Sequence, residues 1–568
     1  MMHIHHSAPS VLARALLSVA ALAFPHPALA QSDAPRSETG QRAEIARLVQ
    51  QAAETLGATA ARSSPPAVVQ AVGGDRFELT LDEAVARALE RNLDIRLERL
   101  SPRTFDFSIQ ALTASYRPQL TSGFSTGNRI TIPNSQLASQ AGTFETGTRQ
   151  WSTGVAQDLP WGGARYAVDF GNQRVASSNE FTSRNPSYNS SVSLSFVQPL
   201  LRGFTTDGTR AQLGVSRVNQ AISEVQLEST MINTVSNVRN AYWDYVYATQ
   251  AVDVSRESLA LAEKLLEDNR ERVRIGTMAP IDVVQTEAEI ATRRQIFVQD
   301  EVGSRTAELA LKELIVGGTD DELWRATLVP TDRPAVRQDA IDVEAAVNQA
   351  LEARTDLRQA RQRLTGNDVS LRQLGDQTLP ALDLSVTYGL SGLGGPEVIR
   401  RGLGGEVSGI LPGGYTQALR SIGNLDAPNW AVGFNLRYPM GTSAARAELA
   451  RARLVQQQTE TQVRRLELRV ATEVTSAALR VGSNLERMEA ASTARGLAER
   501  RLEAEVSRFA VGLTTNFFVV QAQRDLREAQ IAELRTLLDY EKSLVEYERL
   551  QRTTLSLAGI TVIAAREF

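Results

Sequence analysis

Apolar residues recur at a strict seven-residue interval between positions 210 and 275: Met231, Val238, Tyr245, Val252, Leu259, Leu266 and Val273. A 3.5-residue period keeps one line of side chains against a partner helix, so this stretch predicts a coiled-coil rod. At 1.5 Å per residue, roughly 65 residues make a helix of ~100 Å. The rod stops at Arg274-Ile275-Gly276-Thr277-Met278-Ala279-Pro280. Gly permits a left-handed turn there and Pro suits a first helical position. A second helix leaves from Ile281 with a seam at Val283, Ile290, Phe297 and Leu311, interrupted by Ser304. A shift of 236 residues repeats the pattern. Gly276 maps onto Gly512, Val283 onto Val519, and the first seam onto Glu467, Val474, Val481, Met488, Arg495, Leu502 and Phe509. Glu467 and Arg495 are the polar breaks in this second seam.

Other segments alternate with a period of two. Trp430, Val432, Phe434, Leu436 and Tyr438 interleave with small or polar residues, as do Leu382, Leu384, Val386 and Tyr388. Val192, Leu194 and Phe196, and Tyr166, Val168 and Phe170, do the same in the first half. These are strands with one apolar face. Trp430 to Tyr438 spans roughly 26 Å at 3.3 Å per residue. An outer-membrane barrel has an apolar band of about 25 Å bordered by aromatic girdles. Trp430 and Tyr438 would supply one girdle each, and Tyr388 a further contact. A soluble β-sandwich with one wet face would alternate in the same way. The stretches 134–150, 177–191 and 391–428 are rich in Gly, Ser and Asn and read as loops. Pro160-Trp161-Gly162-Gly163 reads as a tight hairpin turn, which leaves four to six strands per chain. No single-chain barrel closes with fewer than about eight strands, so a barrel made of these must be shared between copies.

A helical block also repeats, here after 262 residues. Ala84, Val85, Ala88, Leu89, Glu90, Asp94 and Arg96 match Ala346, Val347, Ala350, Leu351, Glu352, Asp356 and Arg358. Thr80 and Glu83 form a capping-box pattern before the first copy. The chain is thus two tandem halves, each ordered helix, strands, long helix, turn, helix. The expected division is a signal peptide at 1–30, a linker at 31–77 and a first repeat at 78–315. That repeat would hold strands over about 116–200 and long helices at 207–275 and 281–315. An equatorial linker at 316–340 follows, then a second repeat at 341–553 with strands over about 379–439 and long helices at 444–511 and 517–550. A tail occupies 554–568.

The signal peptide is read from Arg14, the apolar core Ala15 to Phe24 and the small-x-small site Ala28-Leu29-Ala30. Together with the rods it favours the barrel over the sandwich. The stretch Gln41–Ala61 could form an isolated amphipathic helix. No later run is long and apolar enough for a transmembrane helix. There is no Cys, and all four histidines (His3, His5, His6, His26) lie within the first thirty residues. That removes Ser-His-Asp triads, Cys-His pairs and the usual Zn, Cu or haem sites. The acidic run Asp320-Asp321-Glu322 has no base or nucleophile beside it. The expectation is a protein that is not an enzyme and holds no cofactor or metal. A net charge of −4 gives no reason to expect nucleic acid.

The duplicated order, the Leu79-to-Val85 block, Asn240-Ala241-Tyr242-Trp243 and the two Gly turns together resemble the TolC family of outer-membrane efflux proteins, over about residues 78–555. The resemblance implies a mainly α fold with a membrane β-barrel part. Three protomers would share one barrel in the outer membrane of a Gram-negative bacterium and one α-helical periplasmic tunnel. It implies a homotrimer in outer-membrane lipid that meets a periplasmic membrane-fusion adaptor and, through it, an inner-membrane pump of RND, ABC or MFS type. Such a channel conducts substrates passively in a tripartite efflux or type I secretion system. By position, Arg274, Ile275, Gly276, Thr277, Arg508, Val511, Gly512 and Leu513 would face the adaptor. Asp282 matches a position that helps to close the tunnel in relatives, but its counterpart here is Phe518, so the polar closure of the family pattern is altered. Phe517 and Phe518 then fit either an apolar constriction or the coiled-coil core. A secreted coiled-coil scaffold without transport is the competing function.

Overall fold

The computed structural model describes residues 76–132, 143–179, 181–334, 341–402, 405–441 and 443–554. The expected signal peptide, nearly all of the N-terminal linker with its amphipathic stretch, and nearly all of the tail lie outside these residues. The first repeat opens with β1 (Arg76–Leu79), α1 (Leu81–Arg91), α2 (Leu93–Glu98) and α3 (Ser101–Ala114). Strands β2 (Gln119–Thr131), β3 (Phe144–Asp158), β4 (Arg165–Ser177) and β5 (Ser187–Pro199) follow. The rods α4 (Gly208–Arg274) and α5 (Pro280–Ile315) complete this half. A connector carries α6 (Glu322–Arg325) and β6 (Thr327–Pro330). The second repeat holds α7 (Val343–Ala353), α8 (Thr355–Gln377), β7 (Ala381–Gly394), β8 (Glu397–Arg400), β9 (Val407–Leu411), α9 (Tyr415–Gly423) and β10 (Pro428–Arg437). The rods α10 (Ala444–Ala510) and α11 (Asn516–Gln551) end it.

The duplication read from the sequence is a duplication of packing. Thr80 accepts from the Glu83 amide and Glu83 from the Thr80 amide, so the capping box that starts α1 is formed. Ala84 and Ala88 of α1 are buried in a core with Val235, Tyr242, Leu311 and Ile315 of the rods. Their counterparts Ala346 and Ala350 of α7 are buried with Val470, Val474 and Leu550. Small residues at these positions let the short helices approach the long ones. Between the halves, β1 and β6 pair in parallel. Tyr242 of α4 donates to the Leu79 carbonyl at 3.0 Å and to Asp332 at 2.9 Å, and Tyr245 donates to the Leu328 carbonyl. Burial raises both phenols, so they stay protonated donors. Asp321, from the acidic run, caps α6 and pairs with Arg91 at 2.8 Å.

The seam is corrected in its lower half. Met231, Val238, Tyr245 and Val252 are buried, but Leu259, Leu266 and Val273 are only half-buried. The buried line there is Ser255, Ser258, Ala262, Leu265 and Asn269. It lies beside the apolar line and keeps heptad spacing, but apart from Leu265 with small and polar residues. In the second rod the two breaks are ion-paired at the surface: Glu467 with Arg361 at 3.4 Å, and Arg495 with Glu499 at 2.7 Å.

Six strands form one antiparallel sheet, in the order β10-β7-β5-β4-β3-β2. Four come from the first half and two from the second. The Trp161 turn joins β3 to β4, with Gly162 and Gly163 at φ +65° and +66° and the Leu159 amide bonded to the Ala164 carbonyl at 2.7 Å. Leu120, Val155, Val168, Leu194, Tyr388 and Trp430 are register neighbours, an apolar row across all six strands. One position over, Gln119, Ala156, Ala167, Ser195, Thr387 and Ala431 line the other face. Three expected loops are partly regular structure. Strand β3 starts at Phe144, β5 starts at Ser187, and 391–428 holds β8, β9 and α9. The small and hydroxylated residues of a polar sheet face have the composition of a loop, which is why pattern alone misplaced them. Tyr438 lies just past the end of β10, where its hydroxyl accepts from Arg446 at 2.7 Å.

Candidate functional site

The sites expected from the sequence fall at the two ends of the molecule. At the helical end, α4 and α5 form one hairpin and α10 and α11 the other. Each turns through the same backbone motif. The Thr277 amide donates to the Arg272 carbonyl at 2.9 Å and the Gly276 amide to Val273 at 3.0 Å. In the second hairpin Leu513 donates to Arg508 at 2.8 Å and Gly512 to Phe509 at 3.2 Å. These are Schellman caps, which need a left-handed residue after the helix. Gly276 and Gly512 supply it, at φ +80° and +77°. The space that a Cβ would occupy on either glycine has no other residue's atom within 4 Å, its chain neighbours aside. Arg274 is exposed and bonded to Glu271, and Arg508 to Glu505 at 3.0 Å. Ile275, Val511 and Leu513 stand exposed on the turns beside these arginines.

Behind the turns, polar groups tie the two hairpins together. Asn269 of α4, Thr286 of α5 and Asn516 of α11 are buried and mutually bonded. Asn269 Nδ2 donates to Thr286 Oγ1 at 2.9 Å and to Asn516 Oδ1 at 3.0 Å, and Asn516 Nδ2 donates to Thr286 Oγ1 at 3.1 Å. Arg272 lies over the Phe509 ring at 4.4 Å. Farther up, the buried Glu289 carboxylate accepts from Arg293 at 2.9 Å and from Arg524 of α11. Burial alone would raise this carboxyl, but the bonds from Arg524 and Arg293 outweigh it and hold it below the usual carboxylate range. Burial lowers the Arg293 guanidinium, while Glu289 raises that of Arg524. The heptad pattern did not flag this network.

Asp282 stands half-buried in the first turn of α5, and its carbonyl accepts from Thr286 at 2.8 Å. Phe517 and Phe518 are 60% and 49% exposed, and their rings meet edge-on at 5.6 Å. They are not in the core of their own hairpin, which corrects that alternative. Val519 and Val520 fill the core instead, with Leu265, Phe509 and Met278.

At the strand end, Trp430 and Tyr388 are direct cross-strand neighbours and both exposed, so they mark one level of the apolar face. Tyr438 marks the end nearest the helices. Trp161, read in the sequence only as part of a hairpin turn, is a further exposed aromatic at that turn. No helix among the described residues is long and apolar enough to cross a membrane.

A model of the outer membrane efflux protein family matches residues 165–317 and 346–550. No curated protein sequence matches. The fold is similar to that of a membrane protein from Pseudomonas aeruginosa (TM-score 0.60, 17% identity, 83% of this chain and 92% of that one). It is similar to the Campylobacter jejuni CmeC outer membrane channel (0.60, 14% identity, 84% and 86%). The open state of the Neisseria gonorrhoeae MtrE outer membrane channel is a further neighbour (0.56, 16% identity, 84% and 89%). The duplicated rods, the sheet with one apolar face and a family match over both repeats have one explanation: the chain belongs to the outer membrane efflux protein family.

Proposed function

We propose that three copies of this chain form a passive export duct. The carrying observation is that β2 and β10 each have a free edge in the single chain. Backbone groups along those edges cannot stay unpaired in lipid, so each edge must meet a neighbouring copy. With six strands per chain, three copies give 3 × 6 = 18 strands. Barrels of 16–18 strands leave an aqueous channel. The rods support the same assembly. Leu454, Leu468, Leu479 and Leu497 of α10 are exposed, and at 100° per residue they lie within about 40° of one another. Such a stripe fits a helix from a second copy.

The turns would dock a periplasmic adaptor through Arg274, Gly276, Thr277, Arg508, Gly512 and Leu513. An RND, ABC or MFS pump in the inner membrane, as part of a tripartite efflux or type I secretion system, would supply energy through that adaptor. Phe517 and Phe518 would narrow the tunnel at its periplasmic end, beside Asp282, and close it by excluding water. Opening would be a shift of the tip helices biased by adaptor contacts. Trp430 and Tyr388 would sit at one border of the bilayer and Tyr438 at the other.

Gly512→Glu tests the docking role. Oligomer formation and membrane insertion should persist while export is lost; normal export with this change would remove the tips from the adaptor interface.

A further inference from the structure

Arg149 of β3 and Arg174 of β4 are directly opposed in the strand register. The register runs without a shift through both positions, so they share a face with Trp151, two residues from Arg149. The Trp151 ring meets Phe170 edge-on at 5.8 Å, which places both arginines beyond the apolar band. From Asp158 at the β3–β4 turn to Arg149 is nine residues, or about 30 Å of strand. A membrane-spanning strand takes about 9–11 residues. The pair therefore stands at the far border of the bilayer, on the end away from the rods.

Like charges directly opposite each other destabilise a strand pair. Two other arginines near the sheet have acidic partners, Arg165 with Asp158 at 3.6 Å and Arg184 with Glu397 at 2.6 Å. Arg129 of β2 and Arg437 of β10 are unpaired among the described residues but do not oppose another arginine. Among the described residues, no carboxylate lies within 4 Å of Arg149 or Arg174. Glu145, on the same face, instead accepts from Asn128. Thr126 and Tyr188 complete the row on either side, so two hydroxyls flank the two guanidinium groups.

We propose that Arg149 and Arg174 bind a phosphate of an outer-leaflet glycolipid headgroup. A phosphate between them replaces repulsion with two charge-assisted forks, which guanidinium geometry suits better than an ammonium. The apolar row below, with Val155 and Val168, lies where the same lipid's acyl chains run. This assignment depends on the outer-membrane location and not on the copy number or the role of the tips.

The test is glycolipid retention by the full chain in nanodiscs, read by native mass spectrometry. Lipopolysaccharide carrying its phosphates is compared with the dephosphorylated form. Wild type should retain the phosphorylated lipid, and the Arg149→Gln/Arg174→Gln variant should retain it at least about tenfold less. The corresponding double Lys variant should fall between them. The dephosphorylated lipid should bind wild type and the Gln variant alike. Equal retention of phosphorylated lipid by the Gln variant overturns the site, as does equal retention of both lipids by wild type. Inorganic phosphate binding to lipid-free protein as tightly as the glycolipid would reassign the pair to a free anion. Should the Gln variant fail to insert, the comparison of the two lipids on wild type decides alone.

Discussion

Arg524 of α11 donates from Nε to both oxygens of the Glu289 carboxylate of α5, at 3.0 Å each. Arg293 holds the same carboxylate from within its own helix. Among the described residues this is the ion pair nearest the tips that joins the two hairpins. The next is Lys542–Asp244, eighteen residues farther up α11 (542 − 524). Whatever spreads the tips must work against the Arg524–Glu289 pair and the Asn269–Thr286–Asn516 triad.

Removing Arg524 should therefore loosen the tip half without unfolding the chain. Arg293 still neutralises Glu289, and Arg524 is half exposed. The expected cost of Arg524→Ala is about 1–2 kcal/mol, below that of a fully buried charged hydrogen bond. In a planar bilayer the variant should show higher conductance, and amides of α11 near Asn516 should exchange faster. Unchanged conductance together with unchanged exchange would mean that this pair does not restrain the tips.

The same pair sets a pH dependence. The Glu289 carboxyl is held below its unfolded value, so its contribution is present above the unfolded carboxylate pKa of about 4.3 and is lost as pH falls through the lower folded value. Conductance of wild type should rise below about pH 4. Glu289→Gln should flatten that rise, because its amide does not titrate in this range. A rise of equal size in the Gln variant would place the titrating group elsewhere.

The two tip glycines should be interchangeable with Ala at a modest cost. Their positive φ penalises any side chain by about 1–2 kcal/mol. No atom within 4 Å would clash with an added Cβ. Thermal melting of the detergent-solubilised protein should show small, similar losses for Gly276→Ala and Gly512→Ala. A large loss at one of them would reveal a contact that the single chain does not contain.

Closure between copies is open to direct cross-linking, since the chain has no Cys. Ser125→Cys in β2 and Ala431→Cys in β10 lie on the inner face, each six residues from the helical end of its strand (125 − 119 and 437 − 431). A flexible bis-maleimide should give a ladder that stops at three chains. Products that stop at two, or continue past three, would contradict the 18-strand barrel.

Heptad and two-residue periods were enough to find the rods and four of the six sheet strands; β2 and β3 were allowed for only through the hairpin turn at Pro160–Gly163. Both signals come from burial on one side of a regular element, which a single chain's pattern records directly. The duplication was equally legible, because Ala84 and Ala346, or Gly276 and Gly512, meet the same local demand in each half. The polar tie at the tips was not legible. Asn269 and Thr286 are 17 residues apart, and Asn516 follows Thr286 by 230. Nothing in the neighbourhood of any one of them indicates the other two. Phe517 and Phe518 show the same limit, since apolarity alone does not tell a hairpin's own core from a surface kept for a neighbour.

What the amino-acid order determined by itself is the set of local structures: rods that end in glycine caps, strands with one apolar face, and their repetition. Periodicity and backbone sterics act over a few residues, so the sequence carries them openly. The tertiary structure alone decided which side of each rod is covered, that six strands and not four share one sheet, and that Arg149 faces Arg174 across it. Those outcomes depend on which distant segments become neighbours, and a buried Ser258 or Asn269 takes its place only once a partner is there to bond it.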